Sequence, residues 1–377
     1  MVDKEKEVIQ LERQLELQNK KLQHIFKIGR ASVAILSSEK PGKLNSVLQA
    51  IINEATEILD SEVGSILLFG EKSEIMTIRV AKGLDENIIK KTRIKTGERI
   101  SGWVAKNKEG ILVKDIEKDP RFNMRSHEKY YTKSLISAPI MINSHVLGTI
   151  NINNKRNHQV FDEEDLDLLE AVAAQAALII TNVNLYKELQ RLYMNTVEAL
   201  AEAIDARDHY TKSHSEHVTE YAVAIAREMG LPQKKIEIVE RASKLHDIGK
   251  IGIHDYILTK PGKLTREEWE EVKTHSLKGA RILEPLAFLD GVIGTVKQHH
   301  ERYDGTGYPD KIKGDKIRLE ARIMAVADSF DAMTTKRPYA VARTKKEAIE
   351  ELKKESGKQF DPKVVEAFLK VLEKLGK

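Results

Sequence analysis

Residues 299–309, with the sequence HHERYDGTGYP, decide how this chain is interpreted. His299 and His300 are adjacent, and two imidazoles at a helix end can reach one metal ion such as iron, zinc, nickel or manganese. Gly305 and Gly307 follow, and glycine permits positive φ and close backbone approach. A plain turn is the alternative interpretation of the glycines. The segment predicts metal ligands directly beside a shaped loop, which a Tyr-Pro pair restrains.

Three other segments supply the residue types that complete such a site. His246 and Asp247 stand together in KLHDIGKIG, at the end of a predicted helix. His275 stands in THSLKGA, and Asp328 stands in AVADSFDAMTTKRPY. Carboxylates suit harder ions and can bridge two metals. The other histidines are interpreted as surface or core residues, the usual role of a lone imidazole: His24, His127, His145, His158, His209, His217 and His254.

Together these segments resemble the HD-GYP family of cyclic di-GMP phosphodiesterases, and the resemblance runs from about Asn195 to the C-terminus. It implies two divalent metal ions bridged by Asp247, which is also a catalytic residue. In this arrangement one ion takes His214, His246, Asp247 and Asp328, and the other takes His275, His299 and His300. Open positions then remain for water and substrate, as catalytic metal sites require.

The resemblance also implies how the phosphodiester is held. Lys250 is the expected catalytic lysine that neutralises phosphate charge. Arg337, in TTKRPY, is the expected second phosphate clamp, because a guanidinium binds phosphate oxygens bidentately. Gly307, Tyr308 and Pro309 are expected to shape the substrate pocket. In the family this loop is also a proposed contact surface for partner proteins.

The chain departs from the family pattern near the first histidine. Some members bind a third metal through an acid one turn before that histidine. Here that position is Tyr210, and Asp208 lies six residues before His214. Asp208 could serve only if this segment is not a regular helix. We therefore expect two divalent ions, with three as the minority alternative, and the resemblance favours iron or manganese.

The expected function is metal-dependent hydrolysis of cyclic di-GMP to pGpG, GMP or both, regulated by an N-terminal domain. Two alternatives stay open. The chain could hydrolyse another cyclic dinucleotide or nucleotide, or it could be a catalytically weak receptor that signals through the loop and a dimer. The complete set of seven ligands argues against the receptor, because a protein without catalysis has no need of them all.

Composition narrows the class of protein. The 377 residues suffice for two or three domains. A net charge of +4 argues against a protein that coats nucleic-acid polymers. The chain has no cysteine, which excludes disulfides, iron–sulfur clusters and thiolate catalysis. We expect no membrane span, since no apolar run approaches the ~18 residues required, and no signal peptide, hence a cytoplasmic location.

Residues 28–186 resemble a GAF domain, an α+β sensor fold. An amphipathic helix is followed by strand-like runs, by a strand pair turning at Asn143–His145, and by a closing helix. Part of a motif of cyclic-nucleotide-binding GAF domains is present: Asn154, Lys155, Phe161 and Asp165, with Leu166 in place of the final acid. A cyclic-nucleotide ligand and an unliganded role in dimerisation or signal relay both remain open.

The remaining segments predict a multidomain dimer. Residues 1–27 read as a short coiled-coil helix, 187–205 as a connecting signalling helix, and 206–377 as an all-α HD-type phosphohydrolase domain. Apolar residues keep an unbroken 4-3 spacing from the GAF domain into the catalytic domain, which predicts one continuous helix and a parallel homodimer. The predicted seam comprises Val172, Ala176, Ile179, Val183, Tyr186, Gln190, Tyr193, Val197, Leu200 and Ile204.

Overall fold

The computed structural model describes residues 43–70, 73–122, 125, 132–207, 214–335, 342–374 and 376. The chain divides into two compact units, Met1–Glu188 and Leu189–Lys377. The predicted N-terminal coiled coil over residues 1–27 lies outside the described residues and stays a prediction.

The first unit is built on a six-stranded antiparallel sheet in the order β3-β2-β1-β6-β5-β4. Its elements are α1 (Lys43–Ile58), β1 (Ser61–Phe69), β2 (Ile75–Lys82), α2 (Glu86–Lys91), β3 (Arg93–Lys95), α3 (Arg99–Asn107), β4 (Ile111–Val113), β5 (Leu135–Ile142), β6 (His145–Lys155) and α4 (Glu163–Arg207). The strand pair turns at Asn143 and Ser144, as the sequence predicts.

The two faces of this sheet differ in chemistry because successive side chains of a strand point to opposite faces. Ile136, Ile150 and Ile152 are fully buried against α1 and the first turns of α4. The alternate positions of the same strands carry Asn151 and Asn153. One face is therefore an apolar core, and the other presents polar groups in the middle of the sheet.

Helix α4 is continuous over 45 residues, as the sequence predicts, but its predicted seam is only partly available. Val172 and Ile179 are buried in the core of the first unit, and Ile204 is buried in the core of the second. Tyr186, Tyr193 and Leu200 of the predicted seam are exposed. A second row of exposed residues lies beside them, at Leu178, Leu185, Leu189 and Leu192, and is called the exposed leucine seam below. The predicted seam stays a prediction.

Residues Glu163–Asp205 of α4 pass a length and composition test for a membrane span, with a mean hydropathy of 1.5 over 18 residues. By that test, the expectation that no segment is apolar enough to span a membrane is wrong. Half of the window is buried within the protein, as in the core helix of a water-soluble domain. A single helix of this kind is weak support for a span.

The described part of the second unit is helical. After the end of α4 it comprises α5 (His214–Glu228), α6 (Gln233–Leu245), α7 (Asp255–Leu258), α8 (Arg266–Lys273), α9 (His275–Leu283), α10 (Asp290–Gln298), α11 (Leu319–Thr334), α12 (Lys345–Lys354) and α13 (Pro362–Lys374). Tyr221, Phe330 and Phe368 pack edge to face at centroid distances of 4.9–5.5 Å and join α5, α11 and α13. This aromatic cluster fixes the helices that carry the first and last predicted metal ligands.

Candidate metal centre

Each predicted metal ligand stands at a helix terminus or inside a buried helix. His214 begins α5 and His275 begins α9. The His246-Asp247 pair directly follows α6, and the two histidines of residues 299–300 directly follow α10. Asp328 lies within α11. Helix ends let side chains converge on one point while the rigid helices fix their positions.

The structure brings these residues into two groups that could each hold a metal ion. The ligand atoms of His275, His299 and His300 lie within 4.8 Å of one another. Those of His214, His246 and Asp247 do the same. Asp328 joins the second group, since its Oδ1 lies 3.3 Å from Nε2 of His214. All seven residues implied by the resemblance therefore meet in one place.

Asp247 lies between the two groups and turns one carboxylate oxygen to each. Its Oδ2 is 3.3 Å from Nε2 of His246, and its Oδ1 is 3.5 Å from Nε2 of His275. A carboxylate in this position can ligate two ions at once, and paired ions a few ångströms apart are a recurrent device of phosphoester hydrolysis. The geometry thus fits the bridging role that the resemblance implies for Asp247.

Three of the histidines are held in the tautomer that a metal ligand requires. Nδ1 of His246, His275 and His299 lies 2.7, 2.7 and 2.6 Å from the carbonyl oxygen three residues earlier. A carbonyl only accepts hydrogen bonds, so each Nδ1 must carry the proton. The lone pair then lies on Nε2, the atom that faces the cluster, and the backbone fixes the ring orientation.

His214 is held differently, by a buried carboxylate that the sequence analysis did not single out. Its Nδ1 donates to Oδ2 of Asp331 at 2.6 Å. His217 also contacts Asp331, with Nδ1 3.1 Å from Oδ1, and it is not a member of either ligand group, in line with its interpretation as a surface or core residue. Asp331 lies three residues after Asp328 on the same face of α11. That spacing is the sequence signal that could have identified it.

Burial and charge set opposite protonation tendencies in the two groups. Burial lowers the pKa of His275, takes that of His299 well below its usual range and takes that of His300 to about 3. These imidazoles are neutral at neutral pH, as ligation requires. Although burial opposes it, hydrogen bonds to Asp328 and Asp331 raise the pKa of His214 to about 10.

The two carboxylates remain ionised despite their burial. Burial alone would raise the pKa of Asp247, but the charges of Lys250 and His246 outweigh it and hold the pKa well below its usual range. The hydrogen bond from His214 likewise keeps the pKa of Asp328 below its usual range against burial. Against the effect of burial, the neighbouring carboxylates raise the pKa of His246 as well, so His214 and His246 would release a proton on binding a metal. With that proton lost, the anionic oxygens and imidazoles form a donor set that fits iron or manganese ions well.

Lys250 completes the polar wall of a cavity of about 890 Å³ above the cluster. Its Nζ lies 2.9 Å from Oδ2 of Asp247, so the ammonium group is beside the bridging carboxylate. Gly307, Tyr308 and Pro309 line the same cavity, and the ring of Tyr308 lies 4.9 Å from that of His300. Lys250, Gly307, Tyr308 and Pro309 thus lie in the wall of one cavity, and their contact with a substrate stays a prediction.

The loop is packed closely against the cluster. A Cβ added to Gly307 would lie 2.2 Å from the backbone nitrogen of Arg302, so only glycine fits there. Buried Glu301 accepts hydrogen bonds from the backbone nitrogens of Asp310 and Lys311 at 2.7 and 3.0 Å. The Tyr308–Pro309 peptide bond is cis. Glu301 is a second residue missed from the sequence, and it ties both ends of the loop together.

Three predicted or discussed positions lie outside the described residues: Arg337, Asp208 and Tyr210. Their roles stay predictions. The cavity wall also includes Trp269, Lys273 and Lys311, which the sequence analysis did not select. Trp269 lies on α8, a short helix with no fully buried residue, and reads in the sequence as part of a surface helix.

Comparisons with known proteins agree with this geometry. Residues 43–180 match the GAF domain family, and residues 198–364 match the HD domain family. The chain therefore joins an α+β GAF domain through a long helix to a helical HD domain, which confirms the predicted fold class. HD-domain phosphohydrolases depend on metal ions, so the metal-binding character of the centre is supported as well.

Relatives narrow the class further. The chain is 43% identical over 190 residues to a cyclic di-GMP phosphodiesterase of Thermotoga maritima (49% of this chain, 51% of the relative). It is 41% identical over 194 residues to the cyclic di-GMP phosphodiesterase response regulator RpfG of Xanthomonas campestris (51% and 50%). It is 37% identical over 213 residues to the 3′3′-cGAMP-specific phosphodiesterase 2 of Vibrio cholerae (56% and 41%). The chain spans about half the length of these relatives, and their names agree with the HD-GYP resemblance.

Proposed function

We propose that this protein is a metal-dependent phosphodiesterase that hydrolyses cyclic di-GMP. The observation that carries the proposal is the position of Asp247, with one oxygen toward each of two three-residue ligand groups. The named activities of the relatives support the choice of a cyclic dinucleotide as substrate. Regulation by the GAF domain is part of the proposal.

The residues around the centre have separable roles. Metal ions held by the two groups would supply charge neutralisation and activate a water molecule for in-line attack on phosphorus. Asp247 and the neutral imidazoles hold the ligand positions fixed. Lys250 places its ammonium group at the cavity wall, where it can bind a non-bridging phosphate oxygen and stabilise developing negative charge.

The mouth of the cavity suits a nucleotide. Trp269 leaves 47% of its surface exposed while it lines the cavity, so its ring is available for base stacking. Lys273 lies 5.9 Å from the ring centre of Tyr308, and both line the wall together with Lys311. Aromatic faces beside cationic groups are the usual combination for bases joined by phosphates. The proposed substrate contacts are therefore Trp269, Lys273, Tyr308, Lys311 and Arg337.

We propose two resident metal ions, iron or manganese, with a third as the alternative. Two three-residue groups correspond to two ions. Five imidazoles and two carboxylates form a mixed donor set that suits these metals. A third ion would require an additional acid, for which Asp208 remains the candidate.

A second candidate function is hydrolysis of 3′3′-cGAMP. The specific observation in its favour is the Vibrio cholerae relative named for that substrate. The two substrates differ in one base, so the contacts at the cavity mouth would decide between them. The product, pGpG or GMP, is a further part of the proposal that the same assay reports.

The wider context of the enzyme is also proposed. We propose a homodimer formed through the exposed leucine seam of α4, a cytoplasmic location, and the loop at Gly307–Pro309 as a contact for a partner protein. The leucine seam is long enough for an interhelical contact, since Leu178 and Leu192 are 14 positions apart in an unbroken helix.

The test is an anaerobic assay of the purified chain. Metals per chain are counted, and cyclic di-GMP and 3′3′-cGAMP are followed by chromatography with parent protein and with Asp247→Ala. We expect about two metals, and a loss of turnover greater than about 100-fold in the variant, because a shared ligand is removed. Asp315→Ala, at an exposed position, is the matched control. Metal-loaded parent that leaves both dinucleotides intact, or a folded Asp247→Ala that turns over normally, would refute the proposal.

A further inference from the structure

Helix α4 ends beside the two helices that carry one of the ligand groups. This group, called the His214 group below, comprises His214, His246 and Asp247. His214 begins α5, and the other two residues directly follow α6. The last turns of α4 share a hydrophobic core with α5 and α6 through three buried residues: Met194, Ala201 and Ile204. The end of α4 therefore helps to fix the helices on which these ligands stand.

A carboxylate in the final turn of α4 has no part in the proposed mechanism. The hydroxyl group of Ser215 donates a hydrogen bond to Oδ2 of this residue, Asp205. Ser215 directly follows His214, so the bond ties the first turn of α5 to α4. A hydrogen bond to an ionised acceptor is roughly twice as strong as one between neutral groups. The contact thus fixes the backbone from which the side chain of His214 enters the metal centre.

The ring and the backbone of His214 are held by different helices. Nδ1 of the ring donates to Asp331 at 2.6 Å, and Nε2 lies 3.3 Å from Oδ1 of Asp328, both on α11. These contacts orient the ring, whereas the bond between Ser215 and Asp205 restrains the turn that carries it. Metal–ligand distances tolerate deviations of only about 0.2 Å. A small shift of this turn would therefore weaken the binding of a metal ion.

Asp205 lies within electrostatic range of the metal centre. Burial raises the pKa of its carboxyl group, and the hydrogen bond from Ser215 opposes that shift. The charges of Asp247, His246 and Lys250 act on the same carboxyl group. Asp205 does not line the cavity above the metal centre, so its role is not contact with a substrate. A residue in this position acts on the centre through its neighbour.

A second polar contact joins α4 to α6. Nζ of Lys244, two residues before His246, lies 3.7 Å from Oε1 of Glu198. Glu198 and Asp205 are seven residues apart, which places both on one face of α4. The side chains of Lys244 and Glu198 are both partly exposed, and ion pairs of that kind contribute little to stability. Asp205 is therefore the stronger polar connection between α4 and the ligand-bearing helices.

We propose that Asp205 is a positioning residue for the His214 group: through Ser215 it holds His214 at ligating distance and so sets the affinity for one of the two metal ions. The ligands of the other group lie on α9 and directly after α10, and the described residues include no hydrogen bond or ion pair that joins them to α4. The effect is therefore confined to one ion. The inference rests on the proposed function only for its consequence for the rate, because metal binding is measured without a substrate.

The binding test uses two variants of the full chain that each keep one ligand group. His275→Ala keeps the His214 group intact, and His246→Ala keeps the other group. Each protein is stripped with a chelator and titrated with Mn²⁺ against a competing dye, with and without Asp205→Ala. We expect Asp205→Ala to lower the Mn²⁺ affinity about tenfold in the His275→Ala protein and less than about twofold in the His246→Ala protein. The first value is the lower end of the range for partners of metal ligands.

Further variants test whether Asp205 acts through Ser215. Ser215→Ala removes the same hydrogen bond from the other side and should match Asp205→Ala. The double variant should bind Mn²⁺ no more weakly than either single variant, because both changes remove one interaction. Asp205→Asn keeps an acceptor oxygen for the hydroxyl group and should restore the affinity to within about threefold of the parent. Glu202→Ala, at an exposed position on α4, is the matched control.

A loss confined to one ion separates positioning from a general loss of stability, since a destabilised domain would bind both ions more weakly. The proposal is overturned if Asp205→Ala leaves the affinity of the His214 group like that of the control, if it weakens both groups equally, or if the losses of Asp205→Ala and Ser215→Ala add. If a protein with one group binds no Mn²⁺, the two-step titration of the parent chain decides, by whether one step or both weaken. A parent that binds two ions but leaves cyclic di-GMP intact would overturn the proposed function alone.

Discussion

Asp331→Asn is the most informative substitution near the metal centre, because it tests how the first ligand is positioned. Asp331 is buried and accepts hydrogen bonds from His214 at 2.6 Å and His217 at 3.1 Å. Asparagine keeps the size of the side chain but removes its charge. The Nδ1–H of His214 then loses its anionic acceptor, and the ring becomes a weaker and less well-oriented donor to the metal.

The expected magnitude follows from the two hydrogen bonds. A hydrogen bond to a charged group contributes about 1 kcal/mol more than a neutral one, so the two bonds together account for about 2 kcal/mol. At about 1.4 kcal/mol per factor of ten, this predicts a metal affinity about 30-fold lower. The value lies inside the 10–100-fold range that outer-shell partners of metal ligands usually show.

The assay is a titration of apo-protein with Mn²⁺ against a competing chelator dye, beside a melting curve and the rate at saturating metal. We expect the ion held by the group that contains His214 to lose affinity, and the rate to recover substantially when metal is in excess. His217→Ala is the matched variant: it removes only one contact to Asp331, about 1 kcal/mol, and leaves that of His214, so its metal affinity should fall by only about fivefold. A folded Asp331→Asn protein whose metal affinity stays within threefold of the parent would refute the positioning role.

Three further substitutions test other parts of the site. Lys250→Met should lower kcat more than about 100-fold with metal content unchanged, since it removes transition-state charge stabilisation; loss of metal instead would make Lys250 structural. Gly307→Ala should cost about 1–3 kcal/mol through its clash with the loop backbone, which a lower melting temperature reports. Trp269→Ala should raise KM for cyclic di-GMP about tenfold, the loss expected for one stacked base, with kcat nearly unchanged. A reversed pattern, with low kcat and normal KM, would contradict the stacking role.

The metal ligands were predictable because their chemistry is local. A histidine followed by aspartate at a helix end, or two adjacent histidines before a glycine loop, is visible in the sequence itself. Which of these side chains converge depends on the packing of α5, α9, α10 and α11, and the resemblance rather than periodicity supplied that grouping. Asp331 was missed because its only sequence signal is its spacing of three residues from Asp328, which gains meaning once Asp328 is placed beside His214.

Other residues could not be predicted for physical reasons. Trp269 is half-exposed on a helix none of whose residues is fully buried, and such a side chain reads in the sequence as part of a surface helix. Asn151 alternates with buried isoleucines, and the sequence does not say whether the other face of such a strand meets water or a cavity. The sequence also does not show which apolar positions of α4 are taken up by the two domain cores, so the predicted seam stays a prediction.

The exposed leucine seam and the predicted seam lie side by side on α4, and a last prediction decides which of them forms the dimer contact. Leu189 is 47% exposed, so a dimer contact would bury about half of its side chain, or about 1 kcal/mol per copy and about 2 kcal/mol per dimer. Leu189→Lys should therefore raise the dimer dissociation constant at least about 30-fold. Gln190→Lys, at the neighbouring position of the originally predicted seam, should have little effect. Sedimentation velocity distinguishes them. If Gln190→Lys dissociates the dimer and Leu189→Lys does not, the originally predicted seam is the dimer contact. If neither substitution changes the mass of the sedimenting species, α4 does not hold the dimer together.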